Sequence, residues 1–165
     1  MKTKTQKIVM SSLLAALCCV ATMIIKIPSP LKGYLNPGDC VVLLSGWMLP
    51  PLYGFLAAGL GSSLADMFLG YVAYAPATFL IKGIMAIIAH FVFKGFNNKL
   101  GNAPSRIIGG TLAEIEMIAG YFVFEGFMYG FAPSLVNIPA NAMQGIAGLI
   151  IGLVLIKIFE KAKIF

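Results

Sequence analysis

The chain alternates between long apolar runs and short breaks rich in Gly, Pro or polar residues, and the runs lack the period-2 alternation of half-buried strands. The first run, about residues 7–27, is long enough to cross a ~30 Å hydrocarbon core at 1.5 Å per helical residue. Pro28, Pro30 and Gly33 end it, and residues 28–38 read as a loop closing on Tyr34-Leu35-Asn36-Pro37-Gly38. Asp39 sits where an N-cap would open a short second helix reaching Pro50-Pro51. A third short helix, about 54–69, stacks Ala57, Gly61 and Ala65 at four-residue spacing, a stripe that lets a neighbouring helix approach closely. After a Gly70–Ala77 loop, a fourth helix is predicted from Thr78 to about Phe96 and a fifth at about 106–128. Phe131-Ala132-Pro133-Ser134 reads as a turn, and Asn137 or Pro139 opens a sixth helix to Ile158.

Composition turns these runs into a membrane reading. Hydrophobic residues make up 59% and charged residues 11% of the 165, against roughly 25% charged in soluble proteins, and the mean hydropathy is +0.92. A bilayer leaves helices or closed barrels as the spanning structures. The expectation is an all-α membrane protein: a six-transmembrane-helix bundle forming a single integral membrane domain over residues 1–165. Lys2, Lys4 and Lys7 ahead of an apolar run resemble a signal peptide, but Pro28-Ser29-Pro30 stands where a small-x-small cleavage site belongs, so the run reads as a retained helix.

The net charge of +6 does not imply nucleic acid, because the bases cluster at the ends of apolar runs. Nine of twelve (Lys2, Lys4, Lys7, Lys94, Lys99, Arg106, Lys157, Lys161 and Lys163) fall on one side of a six-span bundle, and only Lys26 and Lys32 on the other. The positive-inside rule places both termini in the cytoplasm and the loops 28–38, 70–77 and 129–137 outside. Cys18, Cys19 and Cys40 have no metal-site or disulfide spacing. His90 lies in a helix without a nucleophile or acid at a catalytic spacing, and there is no P-loop or HExxH. The reading is therefore of a non-enzyme with no cofactor and no metal.

Ionisable residues inside spans are costly and normally face a cavity or a partner. Lys82 is about a turn inside the fourth helix, Asp66 ends the third, and Glu125 nears the outer end of the fifth. All three fit an outward cavity; a structural Lys82–Glu125 or Lys82–Asp66 ion pair is the alternative. Asn137, Asn141 and Gln144 share a helical face at i, i+4, i+7. Their amides suit a neutral heterocycle, or serve as interhelical glue. Tyr34, Tyr71, Tyr74, Tyr129 and Phe131 crowd the outer loops, either as an interfacial belt or as rings to stack on a flat ligand. Glu114 and Tyr121 share the Glu125 face, while Glu116 points elsewhere. Ser12, Ala15 and Ala16 in the first helix, like Gly148 and Gly152 in the last, mark either internal packing or a docking face.

In order, Gly33-Tyr34-Leu35-Asn36-Pro37-Gly38-Asp39, Gly61-Ser62-Ser63-Leu64-Ala65-Asp66 with Gly70-Tyr71, Ala75-Pro76-Ala77-Thr78 with Ile81-Lys82-Gly83, Gly120-Tyr121 with Glu125, and Pro139-x-Asn141-x-x-Gln144 resemble the S components of energy-coupling factor (ECF) vitamin transporters, in the branch related to the riboflavin type. The resemblance spans nearly the whole chain. It implies a multi-pass protein of the bacterial plasma membrane that captures a small vitamin or precursor from outside. That protein would hand its cargo to one transmembrane T subunit with two ABC-type ATPases. It further implies a pocket built from Tyr34, Asn36, Asp66, Tyr71, Tyr74, Lys82, Tyr121, Glu125, Asn141 and Gln144, and T-subunit docking on Ser12, Ala15 and Ala16, with Ser12 where the family often has alanine. Two other classes stand beside it: an autonomous secondary carrier using Glu114 and Glu116, and a membrane interaction protein without a substrate.

The charge asymmetry makes a direct prediction. Cysteines placed at Lys32 and Ser134 should label from outside intact cells and one at Asn98 should not; the opposite pattern would invert the bundle.

Overall fold

The computed structural model describes residues 3–29 and 34–162; Lys2, Pro30, Lys32, Gly33 and Lys163 of the sequence reading lie outside the described residues. Seven α-helices occur among the described residues: α1 Lys4–Ile24, α2 Asp39–Met48, α3 Pro51–Phe68, α4 Ala75–Leu100, α5 Asn102–Tyr129, α6 Phe131–Ser134 and α7 Ile138–Lys161. A 3-10 turn, Leu135–Asn137, joins α6 to α7. Six of the helices have ten or more residues. Length and apolarity suffice for crossing a membrane in four stretches, α1, α4, α5 and Phe131–Lys161. At ten residues α2 is about 15 Å long, half of a ~30 Å core.

Several boundaries differ from the sequence expectation for identifiable reasons. Proline is expected to stand before the fourth helix, yet Pro51, Pro76 and Pro139 all lie in the first turns of α3, α4 and α7. The first-turn N–H has no intrahelical partner, so proline costs nothing there. The expected polar connection 97–105 shrinks to Gly101, whose φ of +81° turns the chain directly from α4 into α5. The turn at 131–134 is itself helical. Asp39 is not the N-cap of α2: Gly38 holds that position, and Asp39 is the first helical residue. The 28–38 loop contains a two-stranded antiparallel ribbon, β1 Ile27–Pro28 against β2 Tyr34–Leu35, with Ile27 opposite Leu35 and Pro28 opposite Tyr34.

The short helix α2 is the centre of the molecule. Every residue from Asp39 to Trp47 is buried, and α2 touches α1, α3, α4, α5 and α7. A helix apolar all round belongs in such a place. Close approach around it depends on missing side chains. A Cβ on Gly46 would lie 2.5 Å from the Ala86 carbonyl oxygen of α4. One on Gly61, in the stripe with buried Ala57 and Ala65, would lie 2.4 Å from the Ala15 carbonyl oxygen of α1. Gly148 faces Asp39 of α2, where a Cβ would lie 2.7 Å from the Asp39 Cβ, and Gly152 lies over Cys40 at ordinary contact distance, so this pair is internal packing rather than a docking face. His90 spans the α2–α4 seam, its Nδ1 3.1 Å from the Gly46 carbonyl oxygen. At the lysine-rich end Arg106 donates to Glu160 at 2.7 Å and lies 4.8 Å from the Phe93 ring, tying α4, α5 and α7 together. The opposite end gathers the β-ribbon, the 69–74 turn and the α6 segment.

Candidate functional site

Beneath that end lies a buried polar cluster. Lys82, from the second turn of α4, pairs with Asp39 at the start of α2, and both are almost wholly buried. The second Asp39 oxygen accepts from Gln144 Nε2 of α7 at 2.6 Å. Gln144 Oε1 in turn accepts from the backbone N–H of Asn36 at 2.9 Å, while Asn36 Oδ1 accepts from the Gly38 N–H at 2.9 Å. One chain of bonds thus links α4, α2 and α7 to the segment entering α2. The predicted partners of Lys82, Asp66 and Glu125, are not its partners. Asp39 takes that role because the N-terminus of the short α2 falls at the depth Lys82 reaches, and a buried ammonium needs an anion within contact distance. The sequence reading assigns Asp39 to a cap; the signal for its real role is an acid opening a short helix that is otherwise almost wholly apolar.

A small cavity of about 40 Å³ sits above this cluster. Nine of the ten residues expected to form a pocket line it: Tyr34, Asn36, Asp66, Tyr71, Tyr74, Tyr121, Glu125, Asn141 and Gln144. Lys82 does not; it stays below, with its ammonium 5.4 Å from the centroid of the Tyr121 ring. Ser29 and Thr78 complete the lining and are absent from the expected set, since short hydroxyls on a loop and in a first helical turn carry no distinctive spacing. Thr78 shares a hydrogen bond of 3.1 Å with Tyr121.

The wall is built of fixed polar groups. Tyr34 donates to Asp66 Oδ1 at 2.6 Å. Burial and the adjoining Asp66 carboxylate push the Tyr34 phenol far above its ordinary range, so it remains protonated and a donor. Glu125 Oε1 accepts from Asn137 Nδ2 at 2.8 Å and from the Tyr74 hydroxyl at 3.4 Å. Asn137, expected to share the pocket face of α7, instead braces Glu125 from the N-cap position. Tyr34, Tyr71 and Tyr74 form a run of contacting rings, with centroids 4.8 and 6.4 Å apart, that continues to Phe124 at 5.1 Å. Such tilted and edge contacts are the favourable geometries for aromatic pairs. Glu114 lies deeper, buried beside Gly145, Gly148 and Asp39, with neither carboxyl oxygen hydrogen-bonded. Glu116 is half-buried and away from the cavity. Among the described residues no group of three or more His, Cys, Asp or Glu could hold a metal ion.

On the side of α1, a groove of about 230 Å³ runs between α1 and α3, lined by Ser12 and Ala15 together with Tyr53 and Leu60. Ser12 and Ala16 are exposed on the outer surface of α1, whereas Ala15 turns toward α3.

The ion pair yields a stability test. Lys82→Met alone should lower stability by roughly 3–5 kcal/mol, because it leaves the Asp39 carboxylate buried without its cation. Adding Asp39→Asn should recover most of the loss, and adding Glu125→Gln should not. Melting temperatures of these variants in one detergent decide, and recovery through Glu125→Gln would assign Lys82 a different partner.

Comparison with known proteins places this geometry. Residues 2–161 match the model of the family described as the ECF-type riboflavin transporter, S component. A relative from Pyrococcus woesei, described as an uncharacterized protein in gap 3'region, is 37% identical over 135 residues, covering 81% of this chain and 87% of its own. The thiamine precursor transporter HmpT of Lactococcus lactis subsp. cremoris (strain MG1363) is 23% identical over 141 residues, covering 82% and 77% of the two chains. The solved structure of the S component of a bacterial ECF transporter superposes with a TM-score of 0.75 over 96% of this chain and 98% of that one, at 23% identity. The shared fold is thus that of an ECF S component, a non-enzymatic substrate-binding subunit. With its apolar helices, buried polar cluster and family match over nearly its full length, the chain is a multi-pass membrane protein that belongs to the ECF-type riboflavin transporter S component family.

Proposed function

We propose that this protein is the substrate-capture subunit of an ECF-type importer, binding a small vitamin or vitamin precursor at the tyrosine-rich end and passing it to a separate T subunit and two ABC-type ATPases. The observation that carries the reading is the convergence of Asp66, Tyr121, Glu125, Asn141 and Gln144 on one cavity, from three different helices, beneath a tyrosine cluster. Polar groups placed at fixed positions in an aromatic wall are the pattern of a small-molecule site. The thiamine precursor named for the Lactococcus lactis relative and the riboflavin named for the family are both compounds with flat heteroaromatic rings, in keeping with such walls. The cavity of about 40 Å³ holds roughly three water-sized bodies, so admission of a ring requires the Tyr34–Tyr71–Tyr74 cluster to move outward.

Both termini lie in the cytoplasm in this proposal, with six passes of the chain through the plasma membrane and the cavity facing outward. The lysine-rich end supports that orientation: Lys94, Lys99, Arg106, Lys157 and Lys161 sit at the end opposite the cavity. Ser134 is fully buried, so exposed Leu135 is the better labelling position on the outer side. Energy comes from the partner subunits, which would meet the exposed Ser12–Ala16 surface of α1 and the adjoining groove.

Substrate capture and coupling are separable by mutation. Asn141→Ala should weaken binding of the compound that co-purifies with the solubilised chain by roughly 1–3 kcal/mol, about 5- to 150-fold. Ala16→Leu should leave that binding intact while ATP-dependent uptake into vesicles falls. Unchanged affinity in Asn141→Ala removes the pocket assignment, and uptake without ATP or partner subunits favours an autonomous carrier.

A further inference from the structure

The capture reading leaves open which chemical class the cavity accepts, and the charge inventory of its wall narrows that class. We infer that the cavity selects a small heteroaromatic ring carrying positive charge or a protonated amine, and discriminates against carboxylate- and phosphate-bearing compounds. This inference rests on the proposed capture function and specifies its substrate.

Among the described residues, two acids and no base line the cavity: Asp66 and Glu125 contribute to the wall, and neither Lys, Arg nor His does. Lys82 is held by Asp39 below the floor, which neutralises both charges there. The two acids share a second property. Asp66 is 5% exposed and Glu125 3%, and each is anchored by neighbouring side chains. Asp66 Oδ1 takes the Tyr34 hydroxyl, while Glu125 Oε1 takes Asn137 and Tyr74. The other oxygens, Asp66 Oδ2 and Glu125 Oε2, are buried without a hydrogen bond of good geometry, although the Thr78 side chain adjoins the Asp66 carboxyl. A buried carboxylate oxygen without a donor is destabilising. In the proposed site these second oxygens, which border the cavity as those of Glu114 do not, are the acceptors an incoming N–H would use.

The remaining wall points to the same class. Cations are drawn to the faces of aromatic rings, and the cavity is bordered by Tyr34, Tyr71, Tyr74 and Tyr121. A metal ion fits poorly, since no third acid, histidine or cysteine completes a ligand set among the described residues. An anionic substrate would meet two acidic side chains, with no arginine or lysine in the described wall to receive it.

The test compares matched probes on the full chain in lipid nanodiscs by calorimetry. Pyridoxamine and pyridoxine share a ring and differ in an aminomethyl against a hydroxymethyl group; thiamine supplies a permanent cation, riboflavin a neutral ring system and nicotinate an anion. A cationic probe should bind about tenfold or more tightly than the neutral ones, and nicotinate should not bind. Glu125→Gln and Asp66→Asn should each cut cation affinity by about tenfold and narrow the preference for cationic over neutral probes by a similar factor. The probe ranking of the unmodified chain stands even if a variant fails to fold. Tightest binding by riboflavin, pyridoxine or nicotinate overturns the charge assignment and leaves capture intact. Cation affinity unchanged in both variants overturns it as well. If no probe binds, the compound eluted from the purified chain decides: a cation upholds the inference and a neutral or anionic compound overturns it alone. Elution of nothing removes the capture reading with it.

Discussion

The contact between Lys82 and Asp39 organises this molecule. Two opposite charges sit almost wholly buried among apolar helices, an arrangement that survives only because each satisfies the other and Gln144 fills the second Asp39 oxygen. The pair fixes the start of a ten-residue helix that touches five others. Helix α2 is too short to span a bilayer, and its N-terminus therefore ends inside the protein with polar groups to satisfy. Lys82 from α4 and Gln144 from α7 meet that demand. The same contacts hold the Asn36 backbone, so the floor of the cavity and the register of the central helix are set by one network.

In the proposed function this arrangement separates support from recognition. Lys82 does not line the cavity, and its charge is paired with Asp39 beneath the floor. Above it, Asp66 and Glu125 are held by Tyr34 and by Asn137 with Tyr74, so their positions depend on the outer loops rather than on the central pair. The helical frame that carries both layers is one that this chain shares with a solved S component. The 23% identity to a solved S component at a TM-score of 0.75 is consistent with such a shared frame.

Much of this was legible in the sequence, and the parts that were not share a cause. Apolar runs, the Ala57–Gly61–Ala65 stripe and the polar face of Asn141 and Gln144 are periodic signals within single helices, and periodicity survives in one dimension. Nine cavity-lining residues are nameable in advance because acids, amides and tyrosines are conspicuous in an apolar chain. Pairing is different: Lys82 and Asp39 are 43 residues apart, and the one local hint, an acid opening a short and otherwise apolar helix, does not name its partner. Helix ends go astray where proline is taken as a stop although the first helical turn tolerates it, as at Pro76. Asn137 falls on the expected face of α7 but at its cap, where its amide reaches Glu125 instead of the cavity. Ser29 offers no signal, and Thr78, although it closes the Ala75-Pro76-Ala77-Thr78 stretch, has no spacing that marks it as a cavity residue.

At the centre of this picture, a neutralised ion pair supports an acidic, tyrosine-walled capture site above it. A crystal structure of the chain with the compound that co-purifies with it tests this most directly. The expected result is a ring nitrogen or amine within hydrogen-bonding distance of Asp66 Oδ2 or Glu125 Oε2, beneath displaced tyrosine rings, with Lys82 still on Asp39. A ligand bound elsewhere, or Lys82 released from Asp39 to contact the ligand, would contradict it.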